Sequence, residues 1–255
     1  MKDENKSLDL LGIKPVADSV NTVTKGTVDG ASAFLSRICL PAAEEFGLLL
    51  RDKVSAWRSK NAIAIANKAQ KLLEDQVQDI VLSAHPRIIY STIENGSWAE
   101  DDFMQNLWAG LLASSCTSDG KDESNLILIG LLSQLTSSQA KIITHICSIA
   151  KTYKSKSGFI ACDFVYLEAD ELIKISGITD LHQLDRELDH LRGLELINSG
   201  FHPDHLRADV TPHALCLQLF VRAQGYVGSP IDYFGAVEKS PNKSSNSDAA
   251  SSAGS

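Results

Sequence analysis

The sequence is poor in the residues that interrupt helices, because its 255 residues include only 16 glycines and 7 prolines. A fold of strands joined by tight turns uses more of both, so this composition favours helices. The hydrophobic share of 44% is that of an ordinary globular protein and predicts a sizeable core.

Long uncharged apolar runs and paired cysteines are also missing. The most apolar stretch, residues 31–50, contains Arg37, Glu44 and Glu45, whereas a membrane span needs about 20 nearly uncharged residues. The five cysteines are scattered without a CxxC pair, which is typical of reduced thiols. The first seven residues are polar and no apolar segment follows them, so we expect no signal peptide. These features predict a cytoplasmic protein without a membrane span.

The sequence patterns of common reaction centres do not occur. There is no GxSxG, Walker A, GxGxxG or HExxH pattern. His202 and His205, with His213 nearby, lack the second ligand pair of a zinc site, and residues 119–123 lack the alternating ligands of a calcium loop. Adjacent Asp101 and Asp102 point about 100° apart on a helix, which is poor geometry for an acid–base pair. We expect no enzyme, no metal and no cofactor; a hydrolase with a dispersed site is the third and weakest hypothesis.

The segment 97–115 is the best-defined helix in the sequence. Ser97 and Glu100 have the spacing of a capping box, and Asp101 and Asp102 fill the first turn, where carboxylates oppose the helix dipole. The apolar residues that recur at helical spacing are Met104, Leu107, Trp108, Leu111 and Leu112.

Trp98 and Trp108 both belong to this segment, so it carries much of the aromatic packing area of the chain. We therefore predict that it is the hub of a helical core. Its predicted exposed residues are Asp101, Asp102, Gln105 and Asn106. The candidate interaction or structural residues of the protein are Trp98, Asp101, Asp102 and Trp108.

Before this hub, the chain is predicted to be helical. Residues 1–12 are polar and expected to be disordered. A helix is expected at 32–39, and a helical pattern then starts at Pro41 and continues to residue 83, as one long helix or a broken pair. Its first apolar positions are Phe46, Leu50, Val54 and Trp57. Such a helix serves as a core element or, less commonly, as a dimerisation rod.

After residue 135 the order of elements changes. Thr136 and Gln139 form a capping box that opens a helix, followed by a strand (159–167), a helix (168–176), a turn at Gly177 and a helix (180–192). A hairpin built from 194–199 and 207–211 and a last helix through residue 223, capped by Thr211 and Pro212, complete the series. This order is typical of a winged helix-turn-helix.

The predicted fold class is mainly α, with an N-terminal multi-helix bundle and a winged helix-turn-helix-like α+β module. The predicted domains are the helical domain at 13–135, the winged-helix-like domain at 136–226 and a flexible tail at 227–255.

Charge disfavours DNA binding by this module. The chain has a net charge of −8, and residues 136–226 contain nine Lys and Arg against eleven Asp and Glu. A protein that neutralises several phosphates would have to overcome that field. If the module nevertheless binds nucleic acid, the candidate contacts are Lys151, Lys154, Lys156, Arg186, Arg192 and Arg207.

Several short blocks of the chain resemble one family of bacterial proteins, abortive-infection alpha. These blocks are His85-Pro86-Arg87, Gly96-Ser97-Trp98, residues 101–115, Asn125-Leu126-Ile127 and the run 41–47. The resemblance covers roughly residues 10–230 and is most specific at 98–115. It implies a helical cytoplasmic protein of prokaryotic origin linked to phage defence, and it supplies no catalytic residues.

The sequence leads to two functional hypotheses of different classes. The first is a non-enzymatic protein of phage defence that acts through contacts with a protein partner, with homo-oligomerisation left open. The alternative is a DNA-binding transcriptional regulator that uses the winged helix.

Overall fold

The computed structural model describes residues 25–39, 56–76, 82–202 and 204–238. In these residues the chain forms ten helices and five short strands, so the prediction of a mainly α protein is confirmed. The elements of the first half are α1 (Lys25–Ile38), α2 (Ala56–Gln76), α3 (Pro86–Gly96), α4 (Asp102–Ser114) and α5 (Leu126–Leu132). Those of the second half are α6 (Ser137–Ile149), β1 (Thr152–Lys154), β2 (Ile160–Cys162), β3 (Tyr166–Glu168), α7 (Ala169–Ser176), α8 (Leu181–Gly193), β4 (Gly200–His202), β5 (His205–Asp209), α9 (Ala214–Ala223) and α10 (Pro230–Phe234).

Helix α4 lies at the centre of the molecule. It contacts α2, α3, α5, α6 and α9, and every residue from Leu107 to Ser114 is buried. A helix that is covered on all sides has to be apolar or small on all sides, and this segment meets that condition. The prediction that α4 is the hub of the core is confirmed.

Helix α9 crosses α4 at Gly110. A Cβ atom at this position would lie 1.8 Å from the carbonyl oxygen of Ala223, so only glycine permits the crossing. The buried apolar side chains of the described residues, from Ala31 to Ala223, form one connected core. The expected domain boundary near residue 136 falls inside that core, and the division into two domains stays a prediction.

The second half contains two small antiparallel sheets. Strands β1 and β2 form a hairpin, and the other sheet has the order β3-β5-β4, with Tyr166 opposite Asp209 and Gly200 also opposite Asp209. Helices α7 and α8 lie between β3 and β4 in the chain. Gly177 ends α7 in the left-handed conformation, with φ 76°, as the predicted turn requires.

The helices of the second half begin close to the positions that the sequence predicts. Thr136 and Gln139 form the predicted capping box of α6. Asp180 caps α8 by accepting from the backbone N–H of Gln183. On α8, Leu184, Leu188 and Leu191 are buried and Leu181 is exposed.

Three predicted boundaries are wrong. The strand expected at 159–167 is two strands, β2 and β3. The first hairpin strand, β4, begins at Gly200. Residues 194–199 belong to no strand, although Ile197 forms an isolated β-bridge with Pro212. Leu196 and Ile197 are buried in the core. His213, rather than Thr211 or Pro212, is the N-cap of α9.

Ordered structure continues beyond the predicted end of the folded part. Helix α10 lies within the expected tail, and the backbone N–H of Lys154 donates to the carbonyl of Val237 over 3.0 Å. Phe220 stacks on Phe234 with ring centroids 6.0 Å apart, which anchors α10 to α9. Residues 230–238 of the predicted flexible tail therefore include a helix and a β-bridge to β1.

Part of the predicted organisation lies outside the described residues. This applies to the disordered segment 1–12, to the start of the long helix at Pro41 and to the tail beyond residue 238. The predicted helical end at residue 83 is wrong, because Ser83 pairs with Thr117 in an isolated β-bridge. None of the described helices is both long enough and apolar enough to cross a membrane.

Candidate functional site

The loop that leads into α4 differs from the prediction. Helix α4 begins at Asp102, and Asp101 is its N-cap, with its side-chain oxygen 2.9 Å from the backbone nitrogen of Met104. Ser97 instead follows the end of α3. Its hydroxyl accepts from Arg58 Nε over 3.0 Å and donates to the carbonyl of Glu94. The predicted capping box of Ser97 and Glu100 is wrong, because tertiary partners occupy the Ser97 hydroxyl.

Arg58 of α2 is a buried charge that contacts this loop, with 8% of its surface exposed. Its guanidinium forms an ion pair with Glu94 at 2.8 Å and donates to the Glu94 carbonyl at 3.1 Å. The guanidinium carbon also lies 4.3 Å from the centroid of the Trp98 ring. A buried charge is tolerated only when it is paired and hydrogen-bonded, and Arg58 satisfies both conditions.

Two buried amides complete the polar network. Asn61 donates from Nδ2 to the carbonyl of Ser97 over 2.9 Å. Gln105 donates from Nε2 to the carbonyl of Ala99 over 3.0 Å and to Asn61 Oδ1 over 3.3 Å. Gln105 was predicted to be exposed, whereas it is 7% exposed, because it serves these acceptors. Together with Arg58, the amides fix the loop between α3 and α4 onto α2.

Two tryptophans lie on the outer side of this loop. Trp98 is 56% exposed and Trp57 37% exposed. Their ring centroids are 5.7 Å apart in an edge-to-face arrangement, and Trp57 Nε1 donates to the Glu100 carboxylate. The aromatic packing area predicted for this segment therefore comes mainly from Trp108 and less from Trp98. Trp57 was recognised only as an apolar position of a long helix, and nothing local in the sequence marks it as a surface residue.

These rings form one wall of an open groove of about 620 Å³, which we call the tryptophan groove. Its other lining residues include Glu100, Asp101, Met104 and Trp108 on the α4 side and Leu132, Ser133, Leu135 and Ser137 on the opposite side. The Ser137 hydroxyl donates to Asp101 Oδ2 over 2.7 Å, which joins the starts of α4 and α6. Two carboxylates and no Lys, Arg or His are found among the described residues that line the groove.

The other two predicted site residues, Trp108 and Asp102, make contacts that stabilise the fold. Trp108 is 2% exposed and packs against Gly96 of α3, where a Cβ atom would approach the indole to 3.0 Å. Gly96 is the last residue of α3, and its lack of a side chain makes room for this ring. Asp102 is exposed and paired with Lys68 at 2.5 Å, which lowers the pKa of its carboxyl.

The six candidate nucleic-acid contacts lie on three separate elements. Lys151, Lys154 and Lys156 belong to β1 and its flanks, Arg186 and Arg192 to α8, and Arg207 to β5. Two of them have acidic partners: Arg192 lies 2.8 Å from Asp189, and Arg207 lies 3.8 Å from Glu168. The Arg207 guanidinium also lies 4.5 Å from the ring centroid of Tyr166.

Groups with the potential for metal or thiol chemistry are sparse. The described residues contain no cluster of three or more His, Cys, Asp or Glu side chains that could hold a metal ion. His202 and His205 stack at 4.5 Å beside a second groove of about 610 Å³ next to α8.

The thiols of Cys147 and Cys216 lie 3.6 Å apart in the core, and burial raises the pKa of Cys147. That pair favours the protonated thiol over the nucleophilic thiolate.

Comparison with family models identifies the family of this chain. The family model for abortive infection alpha matches residues 60–212, which is more than half of the chain and extends from α2 to the turn before α9. Neither the curated proteins nor the solved structures gave a match. The matched range includes Trp98, Asp101 and the buried amides of the loop, and it confirms the resemblance noted in the sequence. The chain therefore belongs to the abortive infection alpha family.

Proposed function

We propose that the protein is a non-enzymatic component of phage defence in the bacterial cytoplasm, and that it acts by binding a protein partner through the tryptophan groove. Family membership supports the link to abortive infection. The observation that carries the mode of action is the exposed pair Trp57 and Trp98 at the edge of an open groove. Tryptophan is the residue most enriched among the energetic anchors of protein interfaces.

The construction of the groove supports a binding role. A network of buried hydrogen bonds positions the Trp98 loop, although that ring buries little of its own surface. Rigid positioning lowers the entropy that is lost on association, so a preorganised aromatic surface binds more tightly than a mobile one. An exposed ring that is held in place by buried hydrogen bonds adds little to stability and is well suited to binding a partner.

A phage plating assay tests this proposal. A bacterial host that expresses the protein is infected with a panel of phages, and plating efficiency is compared with that of the empty host. Trp98→Ala should abolish any protection that the wild type gives. Tyr90→Ala is the matched control, because Tyr90 is a 57% exposed aromatic residue of α3 that does not line the groove. Full protection by a folded Trp98→Ala protein would refute the proposed mode of action.

The alternative is a winged-helix regulator that binds DNA. The arrangement of α6, β3, α7, α8 and the β4–β5 hairpin, with sheet order β3-β5-β4, favours it. The acidic partners of Arg192 and Arg207 oppose it. We therefore rank it second.

A gel shift at low salt distinguishes the alternative from the first proposal. DNA binding that falls steeply with salt and disappears when Lys151, Lys154 and Lys156 are changed to glutamine would favour the regulator. Absence of a shift at low salt would reject it.

A further inference from the structure

We propose that the tryptophan groove recognises a cation, namely the guanidinium or ammonium group of an arginine or lysine side chain that a partner protein presents. This inference rests on the proposed function for the existence of a partner, and it adds the chemistry of the contact. It has three supports in the structure: the rings, the carboxylates and the rigidity of the loop.

The two tryptophan rings can attract a cation through cation–π interactions. The face of an indole carries partial negative charge, and tryptophan is the best aromatic partner for a cation. Trp57 and Trp98 meet at an interplanar angle of 62°, so the two rings form a corner instead of one flat surface. Arg58 already lies over the Trp98 ring at 4.3 Å, which shows within this molecule that the ring accepts a guanidinium.

The charge of the groove selects the sign of the ligand. Glu100 and Asp101 line it, and the described lining residues include no basic side chain. Their protein partners in the groove are neutral donors: the indole of Trp57 for Glu100, and the hydroxyl of Ser137 for Asp101. Neither carboxylate therefore has a basic partner among the described residues that line the groove. An apolar or anionic partner would remove these carboxylates from water without compensation, whereas a cation would pair with them.

Arg58 does not neutralise the groove. Its charge is paired with Glu94, and its side chain is only 10% exposed. It therefore acts as a fixed support behind Trp98 and leaves the groove with net negative charge. The overall charge of −8 adds a field that attracts basic partners during encounter.

Nuclear magnetic resonance of the indole N–H groups tests the inference on the full chain. The protein has three tryptophans, so its spectrum contains three indole signals. Titration with N-acetylargininamide should shift the signals of Trp57 and Trp98 saturably. Trp108 also lines the groove but is only 2% exposed, so its signal should shift less than those of Trp57 and Trp98. The neutral isostere N-acetylcitrullinamide should bind about fivefold more weakly than the arginine compound, since it lacks the charge.

Two conservative variants separate charge from shape. Glu100→Gln keeps the acceptor for Trp57, and Asp101→Asn keeps a good N-cap for α4. Each should weaken the binding of N-acetylargininamide by about threefold, and the loss should diminish as salt is added. Equal binding of the arginine and citrulline compounds, no shift at all, or unchanged affinity in both variants would overturn the inference.

The outcome is distinguishable from failure of the proposed function. If Trp98→Ala abolishes phage protection while N-acetylargininamide does not bind, the groove contacts a partner of different chemistry and this inference alone fails. If N-acetylargininamide binds as expected but Trp98→Ala protects fully, the proposed action through the groove in phage defence fails and the cation site stands. Self-association that disappears in Trp98→Ala would identify a second copy as the occupant and would overturn the inference.

Discussion

Trp98 and Trp108 belong to one short block of sequence and have opposite environments. Trp108 is 2% exposed in the middle of α4, whereas Trp98 is 56% exposed in the loop that precedes the helix. The buried part of α4 is held by apolar contacts on all sides. The loop before it is held by hydrogen bonds and an ion pair beneath an exposed ring. One end of the block therefore stabilises the protein, and the other presents a surface.

The largest effect is expected at the buried end. Trp108→Ala removes a fully enclosed indole and leaves a cavity, so it should lower the free energy of unfolding by about 3–5 kcal/mol. Thermal and denaturant unfolding measure this change. If Trp108→Ala left stability intact and abolished phage protection, Trp108 would belong to an interface and the contrast between the two ends would disappear.

Gly110→Ala should be nearly as damaging, although it adds only a methyl group. The new Cβ would meet the Ala223 carbonyl at 1.8 Å, so α4 and α9 have to move apart. We expect a loss of about 3 kcal/mol, at the upper end of the range for overpacking.

Gly130→Ala is the matched control for Gly110→Ala. Gly130 is an exposed glycine of α5 with open space around its Cβ position, and the substitution should stabilise the protein by about 0.5–1 kcal/mol. Similar effects of the two substitutions would show that α9 does not press on α4.

At the start of α4 the expected effect is smaller. Asp101→Ala removes the acceptor for the Met104 N–H and for the Ser137 hydroxyl, which should cost about 1 kcal/mol. Asp101→Asn should cost much less, because asparagine caps equally well. Chemical denaturation of the two variants measures the difference. Equal stability of the alanine and asparagine variants would contradict the assignment of Asp101 as the N-cap.

The exposed end should separate stability from activity. Trp98→Ala removes the ring from above Arg58 but leaves the ion pair with Glu94 in place. We expect a stability loss of about 1 kcal/mol together with loss of phage protection. Unfolding curves and plating assays on the same variant test both statements. A loss comparable to that of Trp108→Ala would show that the two ends do not differ in their contribution to folding.

The smallest effect concerns the exposed pair of Lys68 and Asp102. The hydrogen bond and charge of Lys68 hold the pKa of Asp102 below its ordinary value of 3.8. A lowered carboxyl pKa stabilises the folded state above the ordinary value, and that contribution disappears as the pH falls through the lowered one. The stability difference between wild type and Asp102→Asn should therefore be constant near neutral pH and shrink below about pH 4. A difference that persists at lower pH would exclude the pair as its cause.

Local patterns were sufficient for much of the fold. The apolar run of α4, the capping box at Thr136 and the bounds of α8 were each recognised within a few residues. These signals succeed because helical periodicity and capping depend on neighbours three or four positions away. The exposed pair of tryptophans could not be predicted in this way. Arg58 reaches Ser97 across 39 positions of sequence, and Trp57 meets Trp98 over a similar separation.

The sequence by itself determined a mainly helical protein, the position of its central helix and its family. These properties follow from composition, from hydrophobic periodicity and from short blocks of residues. Only the tertiary structure decided which tryptophan is buried, which residue caps α4 and where a groove opens. The reason is that burial and hydrogen bonding depend on partners from distant segments. Ser97 could cap a helix in an isolated peptide, but in the folded chain its hydroxyl belongs to Arg58 and Glu94.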